Sequence, residues 1–132
     1  MIARFKDHDP PSVLLVDASA ESREVLRTVL ERRGVRILEA REARAGLALA
    51  QHHHPEVIVL DLDADAANDD GVQDDFATET RDHHGSLVLL GKVRHAAAET
   101  PGCVVSKPYH FAPLVHTIEQ LIEQSRSAEV QN

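Results

Sequence analysis

Short apolar runs recur along the chain at regular intervals. They fall at 12–17 (SVLLVD), 35–40 (VRILEA), 56–61 (EVIVLD), 86–91 (SLVLLG) and 103–107 (CVVSK). They are rich in β-branched residues, and several show no polar alternation. That is the pattern of strands covered on both faces, as in a parallel sheet. Helical periodicity fills the gaps. SAESREVLRTVLERRG sets Val25, Leu26, Val29 and Leu30 on one stripe and ends at Gly34. EARAGLALAQHHH carries Ala43, Leu47 and Ala50 at helical spacing until Pro55 forces the chain out of helix. A weaker helix is predicted over 72–84, with Val72, Phe76 and Thr80 facing inward. HFAPLVHTIEQLIEQ is a terminal amphipathic helix built on Leu114, Ile118, Leu121 and Ile122. Between Gly91 and Cys103 there is room for one or two helical turns only. Alternating strands and helices predict an α/β fold, a doubly wound five-stranded parallel sheet with a shortened fourth helix. Sites in such sheets lie at the carboxyl ends of the strands, which points to Asp17, Asp61, Gly91 and Lys107.

The length of 132 residues suits one domain, here expected over 12–124, between an N-terminal arm (1–11) and a polar, fraying tail (125–132). A net charge of −8 disfavours direct nucleic-acid binding and contact with anionic lipid. No apolar run approaches the ~20 residues of a membrane span, and MIARFKDHDPPS lacks the apolar stretch of a signal peptide. The single cysteine, Cys103, excludes an internal disulfide and suits a reducing compartment. A cytoplasmic protein is the expectation.

Candidate chemistry concentrates in VIVLDLDADAANDDG, where Asp61, Asp63, Asp65, Asp69 and Asp70 follow an apolar strand and Asp74 and Asp75 come soon after. A calcium loop would need Gly at its sixth position and Glu at its twelfth; Ala66 and Val72 stand there. VIVLDLDAD also resembles the first motif of haloacid-dehalogenase-type phosphatases, which would make Asp61 a nucleophile and Asp63 its acid–base partner. That family carries the motif on its first strand, and no late acidic pair is evident to hold magnesium.

A third set of residues spans the chain. VLLVDAS ends the first strand with Asp17, VIVLD ends the third with Asp61, and VVSKPY ends the fifth with Lys107-Pro108. Arg23 and Gly34 add to the likeness. Together these resemble the receiver domain of two-component response regulators, over roughly residues 12 to 124. The resemblance implies a flavodoxin-like sheet of order 2-1-3-4-5, and Asp61 as phosphoacceptor for a histidine kinase or phosphotransfer protein. It further implies Mg²⁺ held by Asp17, Asp61 and the backbone carbonyl of Asp63, Lys107 on the phosphoryl oxygens, and output through a downstream protein partner. It implies no enzyme beyond self-phosphotransfer.

The sequence departs from that pattern at several positions. Ala18 stands where a second acid is usual, so the Mg²⁺ site is weakened, with Asp63 or Asp65 as replacement ligands. Gly91 replaces the hydroxyl residue ending the fourth strand, and Lys92 replaces a small one. Val104 replaces the aromatic switch, with Tyr109 just beyond. The loop from Asp61 to Gly71 is longer than usual and lacks the common proline. Two variants of the reading follow: a phosphorylated receiver with impaired metal site and switch, and a phosphorylation-independent pseudo-receiver acting as a binding module. The small Mg-dependent phosphohydrolase is the rival class.

The same residues have plainer uses. Asp17 could cap the following helix, and Lys107 could simply neutralise Asp17 and Asp61. The remaining acids suit a solvated rim, with Asp74 and Asp75 favourable in the first turn of the third helix. Adjacent histidines in HHH (52–54), like His83 and His84, point about 100° apart and rarely converge on one ion. Cys103 suits a buried small hydrophobe.

Overall fold

A computed structural model describes residues 9–92 and 102–130, with the backbone alone for 127–130. Nine elements follow in order: β1 (Ser12–Val16), α1 (Ala20–Arg32), β2 (Arg36–Ala40), α2 (Ala43–His53), β3 (Val57–Asp61), α3 (Asp70–Asp82), β4 (Ser86–Leu90), β5 (Gly102–Val105) and α4 (Phe111–Val130). The strands form one parallel sheet of order β2-β1-β3-β4-β5. This is the doubly wound α/β architecture and the strand order expected. The short helix expected between Gly91 and Cys103 lies outside the described residues.

Strand alternation divides the core in two. Val13, Leu15, Val57, Val59, Val88 and Leu90 face one side, where Leu26 and Leu30 of α1 and Leu114, Ile118 and Ile122 of α4 cover them. Leu14, Val16, Ile58, Leu60, Leu87 and Leu89 face the other, against Ala43 and Ala50 of α2 and Val72 and Phe76 of α3. Each fully buried Leu, Ile or Phe contributes about 1.5–3 kcal/mol relative to exposure. Two covered faces explain why β3 and β4 are apolar at consecutive positions. Gly46 brings α2 close to β1, because a Cβ there would stand 2.5 Å from Cγ2 of Val16.

Element ends differ from the sequence expectation in three places. Val25, placed on the inner stripe of α1, is 40% exposed, and the buried stripe is Leu26 and Leu30. α3 starts at Asp70 rather than 72, because the Asp69 carboxylate accepts a hydrogen bond from Val72 N at 3.2 Å and caps the helix. Asp70 therefore occupies the first turn, where the sequence pattern places Asp74 and Asp75. α4 continues to Val130, past the boundary expected at 124. Arg126 anchors this last stretch, donating Nε and Nη2 to the Glu56 carboxylate (3.1 and 3.2 Å) and Nη2 to the Asp9 carbonyl (2.9 Å). Among the described residues, no helix is long and apolar enough to cross a membrane.

Candidate functional site

Parallel strands deliver their last residues to one edge of the sheet. β1 and β3 are hydrogen-bonded neighbours, and β3 ends on Asp61 while Asp17 immediately follows β1. Lys107 follows β5, with a cis peptide to Pro108. These three line a hollow of about 550 Å³ together with Ser19, Ser22, Tyr109 and Phe111. The sequence expectation that Asp17, Asp61 and Lys107 share one place is met.

Both carboxylates are sunk into the edge, each 6% exposed. Asp17 Oδ1 accepts a hydrogen bond from Ser19 N at 2.8 Å, so it fixes the loop ahead of α1; Ser19 itself is the helix cap, bonding Ser22 N. Burial pushes the Asp17 carboxyl above its ordinary value; the Ser19 amide opposes this, and the Asp61 charge adds to it. Asp61 Oδ1 accepts from Asp63 N at 2.9 Å and from Lys107 Nζ at 2.6 Å. The same ammonium donates to Asp63 Oδ2 at 2.8 Å. Partial burial works against the Lys107 charge, but the bonds to Asp61 and Asp63 outweigh it and hold its pKa above the usual lysine range.

The Asp63 side chain thus occupies the lysine, a role the sequence did not suggest for it. Asp65 lines a separate hollow with Ala18, Arg41 and Glu42 and is tied to α2 through its carbonyl, which accepts from Ala43 N at 2.9 Å. Among the described residues, neither Asp63 nor Asp65 lines the Asp17–Asp61 hollow. Gly91 has φ 124, and a Cβ there would meet Leu62 Cβ at 3.5 Å. Lys92 is exposed and not part of the lining. Val104 faces outward on β5, 55% exposed. Tyr109 is half-buried at the hollow and packs edge-to-face on Phe111, ring centres 5.7 Å apart. Burial, then the Asp17 and Asp61 charges, raise its phenol pKa.

Arg23 serves the fold and not the hollow: it and Arg27 bind the Glu39 carboxylate at 3.3 and 2.9 Å, joining α1 to β2. Cys103 is half-buried against the core, and burial pushes its thiol pKa up. Sequence reasoning missed Ser19, Ser22 and Phe111 as lining residues. Spacing does place Ser22 three residues after Ser19, on the first helical turn above Asp17.

Two oxygen donors, Asp17 and Asp61, suit a hard cation such as Mg²⁺. Burial chiefly raises the Asp17 carboxyl and repulsion from Asp61 adds to it; a dication would relieve that repulsion. The two carboxylates fit such an ion; Ala18, next along the chain, lines the separate hollow with Asp65.

No family model and no curated protein matches the sequence. Solved structures do match the fold. A signal receiver domain from Vibrio parahaemolyticus superposes with a TM-score of 0.75 at 19% identity, covering 94% of this chain and 98% of the other. A CheY-like response regulator receiver domain protein from Methanospirillum hungatei gives 0.72 at 15% identity, covering 91% and 99%. NtrX from Brucella abortus gives 0.66 at 20% identity, covering 93% of this chain but 29% of the longer NtrX chain. The fold is that of response regulator receiver domains.

Proposed function

We propose that this chain, having the receiver fold, is a signalling receiver in which Asp61 accepts a phosphoryl group and which acts through contacts with other proteins. The observation that carries this reading is the Lys107–Asp61 contact of 2.6 Å beside the buried Asp17, all at the carboxyl edge of the sheet. A carboxylate oxygen of Asp61 attacks the phosphorus of a phosphohistidine or a small acyl phosphate. The bond to the donor nitrogen or oxygen breaks and a labile acyl phosphate forms. Lys107 then leaves the Asp61 carboxylate for the new phosphoryl oxygens, which need a compact positive charge. Asp17, Asp61 and the Asp63 carbonyl would hold Mg²⁺, which would supply further neutralisation of the phosphoryl charge. Ser19, Ser22 and Tyr109 offer hydroxyls on the same wall in place of the one lost at Gly91. Partners of this class are a histidine kinase or phosphotransfer protein upstream and a protein effector downstream. The site transfers to itself and turns over no other substrate.

A second reading keeps the fold and drops the phosphate. Lys107 is already held by Asp61 and Asp63 together, and Gly91 and Val104 lack the hydroxyl and aromatic of a working relay. The chain would then be a phosphorylation-independent binding module. The receiver fold favours both readings over the small phosphohydrolase. Incubation with acetyl phosphate or beryllofluoride plus millimolar Mg²⁺, read by intact-mass or fluorine spectra, separates them. An adduct lost in Asp61→Asn supports phosphorylation. No adduct supports the binding module, and steady release of phosphate from esters supports the hydrolase.

A further inference from the structure

The opposite edge of the sheet carries a second cluster of chemistry-bearing side chains. α2 ends at His53 with His54 as its C-cap, and α3 ends at Asp82 with His83 as its C-cap. Both helices stop just before the strands they feed, β3 and β4, so their ends meet at the amino edge. There His54 Nδ1 lies 3.1 Å and His83 Nε2 3.4 Å from the same oxygen, Oε2 of Glu79. The two imidazoles stack, ring centres 3.7 Å apart and planes 25° apart. Glu79 is the sheltered member, its side chain 11% exposed against 45% and 40% for the histidines.

We propose that His54, Glu79 and His83 form a binding site for a divalent transition-metal ion of the zinc type. One nitrogen from each ring and one carboxylate oxygen lie within 4.8 Å of one another. Donors about 2.0–2.1 Å from a tetrahedral ion stand roughly 3.3–3.4 Å apart, close to the two separations observed. Imidazole nitrogens select zinc, copper or nickel over magnesium, so this site and the Asp17–Asp61 pocket would take different ions. Two helix C-termini direct partial negative charge at the same spot and favour a cation there. His52 and His53, adjacent in sequence, sit edge-to-face with ring centres 4.7 Å apart and are not part of this cluster; the convergence on Glu79 is between helices, which adjacency in sequence cannot reveal. His54 is held in the left-handed region (φ 50), where a side chain is strained, and that backbone turn carries its ring toward Glu79.

Binding opens the stack, because rings seated at two tetrahedral corners have centres about 5 Å apart. It also replaces the contacts that His54 Nδ1 and His83 Nε2 make with Glu79 by bonds to the ion. Three protein ligands leave a fourth position for water. The ion would tie the α2–β3 turn to the α3–β4 turn, and fold stability would rise with free metal concentration. None of this depends on the reading of Asp61, which lies at the far end of β3, on the order of 15 Å away.

The test is calorimetric titration of the metal-stripped full chain with Zn²⁺, paired with nitrogen-15 spectra of the histidine rings. The expected result is one equivalent bound, with the resonances of His54 Nδ1 and His83 Nε2 shifting together. Glu79→Gln and His83→Ala should each weaken binding at least tenfold, the floor set by changes one shell further out. Asp61→Asn and the double variant His52→Gln/His53→Gln should bind as the parent does. Absence of saturable binding would overturn the proposal. So would parental affinity in Glu79→Gln and His83→Ala, or ring shifts confined to His52, His53 or His84. If the variants fail to fold, the ring spectra of the unaltered chain decide between these outcomes.

Discussion

At Asp17 the protein holds a carboxylate at a cost. Its pKa is raised above 3.8, chiefly by burial, so the folded state binds this proton more tightly than the unfolded state does. Stability from this group is therefore greatest when it is protonated, falls as pH rises from about 3.8 through the folded pKa, and stays low above it. Asp17→Asn keeps an oxygen for the Ser19 amide and removes the charge. It should raise the melting temperature at neutral pH, with the gain shrinking to nothing below pH about 3.8; thermal melts of both proteins across pH measure this. On the proposed phosphoacceptor reading, the same variant should also lose Mg²⁺-dependent adduct formation. Gly91 presents the reverse case. Restoring a hydroxyl with Gly91→Thr places a β-branched side chain at φ 124 facing Leu62, and should cost roughly 1–3 kcal/mol in denaturant unfolding. Asp61 and Lys107 were legible in the sequence because strand ends define the pocket. The Asp63–Lys107 pair was not, because a loop carboxylate's direction depends on the turn and not on spacing.

Elements were legible where periodicity is strong and misplaced where a polar contact decides. Continuous apolar runs gave β3 and β4 within a residue, while the start of α3 moved to Asp70 because one carboxylate, Asp69, satisfies an amide that periodicity does not count. Pattern likewise shows that α2 is amphipathic, but not how closely it packs. That distance is set at Gly46, whose missing side chain admits Cγ2 of Val16. Gly46→Val should push α2 from β1 and cost about 1–3 kcal/mol, despite removing a helix-weakening glycine. Urea titration with unchanged slope would identify this as strain in the native state. The joint between α1 and α4 rests on a polar contact of the same hidden kind. Arg33 Nη1 donates to both oxygens of Glu119 (3.1 and 3.3 Å), and Glu119 is 3% exposed. Arg33→Met removes this charge-assisted contact and should cost about 1–2 kcal/mol, measured in the same titration.

Across the whole molecule, the two edges of the sheet are divided by chemistry. The carboxyl edge gathers Asp17, Asp61 and Lys107, and the amino edge gathers His54, Glu79 and His83. What joins them is a core buried on both faces of the central strands β1, β3 and β4. Asp9 and Arg126, near the two ends of the described residues, take part in closing this unit. Residues 125 onward look like a polar tail, because SRSAEVQN has no apolar face to predict its docking. Arg126 nevertheless forms a two-toothed pair with Glu56 at the entrance to β3 and reaches the Asp9 carbonyl ahead of β1, so one guanidinium links α4, β3 and the N-terminal segment. Fork geometry of this kind is the form of ion pair that contributes to stability even when partly exposed. A chain ending at Gln124 should therefore unfold about 1–2 kcal/mol more easily, a midpoint roughly 3–8 °C lower. Arg126→Lys, which keeps the charge but loses the fork, should show most of the same loss. Thermal melts of the two variants beside the parent measure the difference; a truncated chain as stable as the parent would return the tail to the frayed state its composition suggests.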